Sequence, residues 1–148
     1  ARREGLDALF VNVSFVGPEA LARELGPRHD DGVIVTQVVP PLDADLPALQ
    51  GYRAAMKDGA HSFGSLEGYV AARALVEGVK RAGRDLDRAA FVSAIEAIRD
   101  LDLGLGVRHS LSPSEHQFSH TVWPTIIRGG QYRALDWRTL RRATVAQR

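Results

Sequence analysis

The sequence predicts an α/β fold, and three observations carry that prediction. Two short, almost wholly apolar runs, Leu9 to Val16 and Val33 to Val39, flank a segment with the start and stop signals of a helix. A continuous apolar run is what a sheet covered by helices on both faces requires, whereas a half-exposed strand alternates. Helical spacing then dominates until Asp100, after which the pattern returns to strands and ends in a hairpin signal.

Taken in order, Leu9–Val16 is a strand rich in β-branched residues. Pro18 suits the first helical position and Glu19 the first turn, so a helix runs from Pro18 to Leu25 and stops at Gly26. Val33–Val39 is the second strand, ended by Pro40-Pro41. Leu46–Met56 reads as a helix with Leu49, Tyr52 and Met56 on one face. Ser65 is expected to cap the next helix, with Glu67 in its first turn and an apolar side formed by Tyr69, Ala72, Leu75, Val76 and Val79. That helix ends at Gly83. Asp87 caps another, whose apolar face is Phe91, Val92, Ile95 and Ile98. Val107–Leu111 and Thr121–Arg128 read as strands, and Gly129-Gly130 turns the chain into a return strand, Gln131–Leu135. Arg138–Arg148 is a basic tail. Ala1–Leu6 resembles the last turn of a helix closed by Gly5, so the 148-residue chain is expected to be a fragment.

Composition narrows the function classes. The 19 basic and 18 acidic side chains leave a formal charge of +1, which gives no electrostatic reason to expect a nucleic-acid partner. The absence of cysteine removes disulfides, thiol catalysis and cysteine-rich zinc sites. No apolar run approaches the ~18 residues of a membrane span.

Catalytic and metal patterns are weak. His116 and His120 have helical i, i+4 spacing, but in an extended chain they stand roughly 13 Å apart, so no metal is expected. No serine sits in a nucleophile elbow, Gly104-Leu-Gly106 reads as a turn before a strand, and Asp43 and Asp45 read as solvated. No catalytic residue and no cofactor are expected. Two places draw attention as binding sites. Ser14 and Phe15 stand where a strand gives way to a helix, the position at which open α/β sheets collect ligands and helix N-termini favour anions; Phe15 is either a ligand wall or core. Gln37 is the one long polar side chain in an apolar strand, and its amide must find backbone, water or a ligand.

Several phrases together resemble type I periplasmic solute-binding proteins of the leucine/isoleucine/valine-binding family. They are LDALFVNVSFVGPEALARELG (Leu6–Gly26), GVIVTQVVPP (Gly32–Pro41), SFGSLEGYVAARALVEGVKRAGRDL (Ser62–Leu86) and LSPSEHQFSHTVWPTIIRGGQY (Leu111–Tyr132), in the family's order. The resemblance implies the C-terminal part of a two-lobed fold, each lobe a parallel sheet flanked by helices, closing on a ligand by hinge motion. Residues 1–60 would be the second half of lobe two, 61–106 helices of lobe one, and 107–136 hinge-crossing strands and a hairpin returning to lobe two, followed by the tail 137–148. It implies a periplasmic, non-enzymatic protein that captures an amino acid or similar small molecule for an ABC permease in the membrane. The same fold serving as a ligand sensor is the alternative. It places Ser14, Phe15 and Gln37 at the cleft in lobe two, and Glu67 and Tyr69 near the hinge, Glu67 to answer a ligand ammonium. Loss of lobe one's sheet would leave the faces at Tyr69–Val79 and Phe91–Ile98 bare, so this chain alone is expected to self-associate.

Overall fold

The computed structural model describes residues 4–6, 8–15, 17–27, 29, 31–57 and 59–140. In chain order the elements are β1 (Val11–Val13), α1 (Pro18–Leu25), β2 (Ile34–Gln37), α2 (Pro47–Met56), α3 (Phe63–Ala82), α4 (Arg88–Glu96), β3 (Leu101–Asp102), β4 (Arg108–His109), β5 (Trp123–Arg128) and β6 (Gln131–Ala134). They fall into two compact units, Ala1–Pro41 with Val122–Arg148, and Leu42–Thr121. Part of the expected helical turn at Ala1–Leu6, and Arg141, Arg142 and Arg148 of the basic tail, lie outside the described residues.

In the first unit the sheet order is β1-β2-β5-β6. β1 and β2 are parallel, joined through α1, and the C-terminal hairpin adds β5 and β6 antiparallel, so the sheet is mixed. β2 is its buried centre. Ile34 and Val35 are fully buried, each contributing roughly 1.5–3 kcal/mol by leaving water. One face is covered by α1, whose Ala22 packs with Val33 and Ile127, and Phe10, Leu21 and Leu25 close around them. α1 begins at Pro18, has Glu19 in its first turn, and ends where Gly26 donates its N–H to the Ala22 carbonyl. The turn Gly129-Gly130 has positive φ at both residues, the conformation a two-residue hairpin loop needs to match strand twist. Asp31 fastens this turn, accepting from Arg128 Nη1 at 2.8 Å and from the Gly129 amide at 3.2 Å. On β1, Val11 and Val13 remain half exposed.

The second unit is helical. α3 starts two residues before the expected cap: Ser62 is the N-cap, and Ser65, at the third helical position, returns the bond in a capping box. Glu67 therefore falls beyond the first turn, where the macrodipole gives it little. Tyr52 of α2 is buried against this helix start. Its Oη shares a 2.5 Å hydrogen bond with Ser65 Oγ and accepts the Ser62 amide at 3.2 Å. That attachment groups α2 with the second unit, Leu42–Thr121. Asp87 caps α4 as expected, accepting from the Ala90 amide.

β3 and β4 form a small antiparallel hairpin that carries Gly104 and Gly106 in its loop. β3 was not anticipated, because a two-residue strand shows no alternation. Gly104 has φ +76°, and a Cβ there would stand 2.8 Å from the Ala48 amide nitrogen, which donates to the Gly104 carbonyl at 3.0 Å. Leu75 and Val76 of α3, within the stripe expected to be apolar, are at least half exposed, and Val79 is 37% exposed.

Gly104→Ala is expected to destabilise the fold by about 1–3 kcal/mol, combining the left-handed backbone cost with displacement of α2; a denaturant midpoint equal to wild type would contradict this close approach. The 148-residue chain by itself is expected to self-associate through the bare apolar faces of α3 and β1. Light scattering checks this, and a monomer with a cooperative melt would overturn it.

Candidate functional site

In open α/β sheets ligands collect at the carboxyl ends of the strands, which directs attention to that edge of the parallel pair β1 and β2. Val13, the last residue of β1, stands opposite Thr36. The chain then turns through Ser14 and Phe15 into α1, while the next residue of β2 is Gln37. Ser14 and Gln37 are thus brought to one edge on adjacent strands. Trp123 is paired with Gln37 from the other side at the start of β5. It is half-buried and was missed by sequence reasoning, since only strand register reveals its place there.

The chemistry of this edge is neutral. Phe15 is 96% exposed. Ser14 is half-buried. Gln37 is fully buried, and neither Oε1 nor Nε2 has a hydrogen-bond partner among the described residues. Strand alternation sets Gln37 on the same face as Val33 and Val35, the face that α1 covers. The contrast with Thr125 is instructive: that buried hydroxyl donates to the Val35 carbonyl at 2.8 Å. A buried amide with an unused donor and acceptor costs about 1–3 kcal/mol.

Glu67 and Tyr69 belong to the second unit, both half-buried on α3. Tyr69 meets Tyr52 edge to face at 5.7 Å, and the Arg73 guanidinium lies 5.9 Å from its ring centroid. Arg73 also donates to the Leu103 carbonyl at 2.8 Å. Tyr69, Ala72, Arg73, Val76 and Leu103 are among the residues lining an open hollow of about 270 Å³. Of the loop histidines, His116 meets Glu96 at 2.8 Å and His120 meets Glu115 at 3.7 Å, both on exposed side chains. His109 is buried, stacked on Phe118 and bonded through Nδ1 to the Phe118 carbonyl, a structural role.

A family model described as periplasmic binding protein matches residues 1–131. The chain belongs to the periplasmic binding protein family. Among solved structures, a possible leucine/isoleucine/valine-binding protein from Rhodopirellula baltica SH 1 is 40% identical, with a TM-score of 0.86 over 95% of this chain and 39% of its own. A substrate-binding periplasmic protein from Ralstonia solanacearum is 27% identical, with a TM-score of 0.76 over 90% of this chain and 40% of its own. A fatty acid ABC transporter substrate-binding protein from Thermomonospora curvata is 22% identical, with a TM-score of 0.71 over 92% of this chain and 38% of its own, a likeness of fold alone. The chain therefore spans about two fifths of the length of these structures. No curated protein matches it. The periplasmic binding protein relatives confirm the mixed α/β class and the C-terminal position of this portion within the type I fold. Among the described residues, no helix is long and apolar enough to cross a membrane.

Gln37→Leu, close in volume and free of the unmet amide, is expected to leave stability unchanged or raise it by up to about 2 kcal/mol. Chemical denaturation checks this, and a loss of more than about 1 kcal/mol would show that the amide is satisfied in the fold.

Proposed function

We propose that this chain is part of an extracytoplasmic solute-binding protein that captures an amino acid or related small molecule and delivers it to an ABC permease in the membrane. The observation that carries the reading is the carboxyl edge of β1 and β2 in a chain of this family: the neutral pair Ser14 and Gln37 beside an almost fully exposed Phe15. A capture protein needs such a surface, with few polar groups to orient the ligand and an aromatic wall to shield it. The 40% identity to a possible leucine/isoleucine/valine-binding protein supports an amino-acid ligand.

In this reading the first unit is part of lobe two and the second part of lobe one of the family's two-lobed fold. Ser14, Phe15 and Gln37 are the proposed contacts from lobe two. Glu67 and Tyr69 are proposed from the other lobe, Glu67 as the carboxylate for a ligand ammonium. Capture and release involve no bond making, so the reading requires no nucleophile, metal or cofactor. Periplasmic residence follows from the family.

Calorimetry on the full-length protein tests this with leucine, phenylalanine, glutamate, lysine and octanoate. Binding of at least one amino acid is expected. Phe15→Ala and Gln37→Leu should each weaken the best ligand by about tenfold or more, the loss of roughly one good contact. No binding across the panel would overturn the reading. Binding unchanged in both variants would remove this edge from the site.

A further inference from the structure

We propose, resting on the solute-capture reading, that Trp123 is a further specificity-determining residue of the carboxyl edge, and that it meets an uncharged aromatic ring of the ligand. Gln37 and Trp123 are directly paired across β2 and β5, so both side chains leave the sheet on one face with Cβ atoms about 5 Å apart. Gln37 is fully buried, whereas the larger Trp123 is half-buried, so part of the indole stays open beside the amide. On the other side of β2, the chain leaving β1 carries the almost fully exposed ring of Phe15. Val38 and Val122, which follow Gln37 and precede Trp123, are 47% and 53% exposed. Two rings and two valines thus stand at one end of three adjacent strands of the first unit.

Ser14, Phe15, Gln37, Val38, Val122 and Trp123 carry no charge. The ionisable side chains that flank them have seats of their own. Glu19 is turned back beside Gly17, its Oε2 3.6 Å from where a Cβ of that glycine would stand, and the start of α1 favours an anion there. β6 runs to the same end of the sheet, the Leu135 amide donating to the Pro124 carbonyl at 2.9 Å. Just beyond it, Arg138 Nε donates to both oxygens of Asp136 at 3.0 Å and holds that carboxyl below its ordinary range. His120, in the second unit, meets Glu115 at 3.7 Å. A charged ligand group laid on this surface would give up water without gaining a counter-ion. A flat ring gains stacked or edge-on contacts with Phe15 and Trp123 beyond the area it buries, which an aliphatic side chain does not.

Calorimetry on the full-length protein with phenylalanine, hydrocinnamate (phenylalanine without its ammonium), leucine and lysine tests the assignment. At least one phenyl compound is expected to bind, tighter than leucine by about fivefold or more and tighter than lysine by about a hundredfold or more. Trp123→Ala should weaken the phenyl compounds about tenfold and leucine by no more than about threefold, with Trp123→Phe close to wild type. Phe15→Ala, at a side chain with almost no packing to lose, should show the same split whether or not Trp123→Ala folds. Leucine or lysine bound as tightly as the phenyl compounds would overturn the assignment and leave solute capture standing, as would equal losses of phenylalanine and leucine in both alanine variants. Hydrocinnamate bound without any amino acid would support the assignment and remove the amino-acid ligand class. No binding of any of these compounds would overturn it, and glutamate and octanoate from the wider panel then decide solute capture separately.

Discussion

The pairing of β2 on both sides is the constraint on which the first unit depends. β2 registers three residues against the nearby β1 and four against β5, whose segment lies about ninety positions further along the sequence. Ile34 and Val35 are fully buried, and the β5 residues opposite them, Ile126 and Thr125, are buried too. A one-residue slip would exchange the face packed under α1 for the other face, so the register is fixed by burial as well as by hydrogen bonds. The same register sets the carboxyl edge. Ser14, Gln37 and Trp123 are neighbours because Val13 faces Thr36 and Gln37 faces Trp123.

The second unit is held differently. Its two-stranded hairpin is short, and arginine side chains supply much of the remaining fastening. Arg73 binds the Leu103 carbonyl, Arg53 those of Leu42 and Ala44, and Arg99 those of Glu96, Ile98 and Leu111. Arg73 and Arg53 tie a helix to loop carbonyls, and Arg99 joins the end of α4 to Leu111. Long cations do this well because the stem packs while the fork reaches. Such bonds leave no periodic trace in a sequence, which is why the connections in this unit were less legible than its helices.

What could be read from the sequence follows the range of the forces involved. α1 is legible to its ends because Pro18 and Gly26 act locally. α4 is legible from Asp87, whose carboxylate caps the helix three residues on. The start of α3 was displaced because both Ser62 and Ser65 are competent caps, and the capping box that uses both is settled by Tyr52 from another helix. At the site, Gln37 was visible as a polar residue in an apolar strand. The exposure of Phe15 and the position of Trp123 were not, because both are consequences of strand pairing between distant segments.

Gln37 shows how such an edge is maintained. A strand selected only for burial would carry a leucine or valine there, as it does at Val33, Ile34 and Val35. The amide forgoes that gain and leaves its own donor and acceptor unused within the fold. Thr125, a polar side chain two rungs along the ladder on the neighbouring strand, avoids the cost by donating to the Val35 carbonyl. Two buried polar groups in one sheet thus stand in different environments, one bonded to the backbone and one without a partner among the described residues. The unsatisfied group stands at the carboxyl end of its strand, where the backbone ladder stops and a ligand can approach.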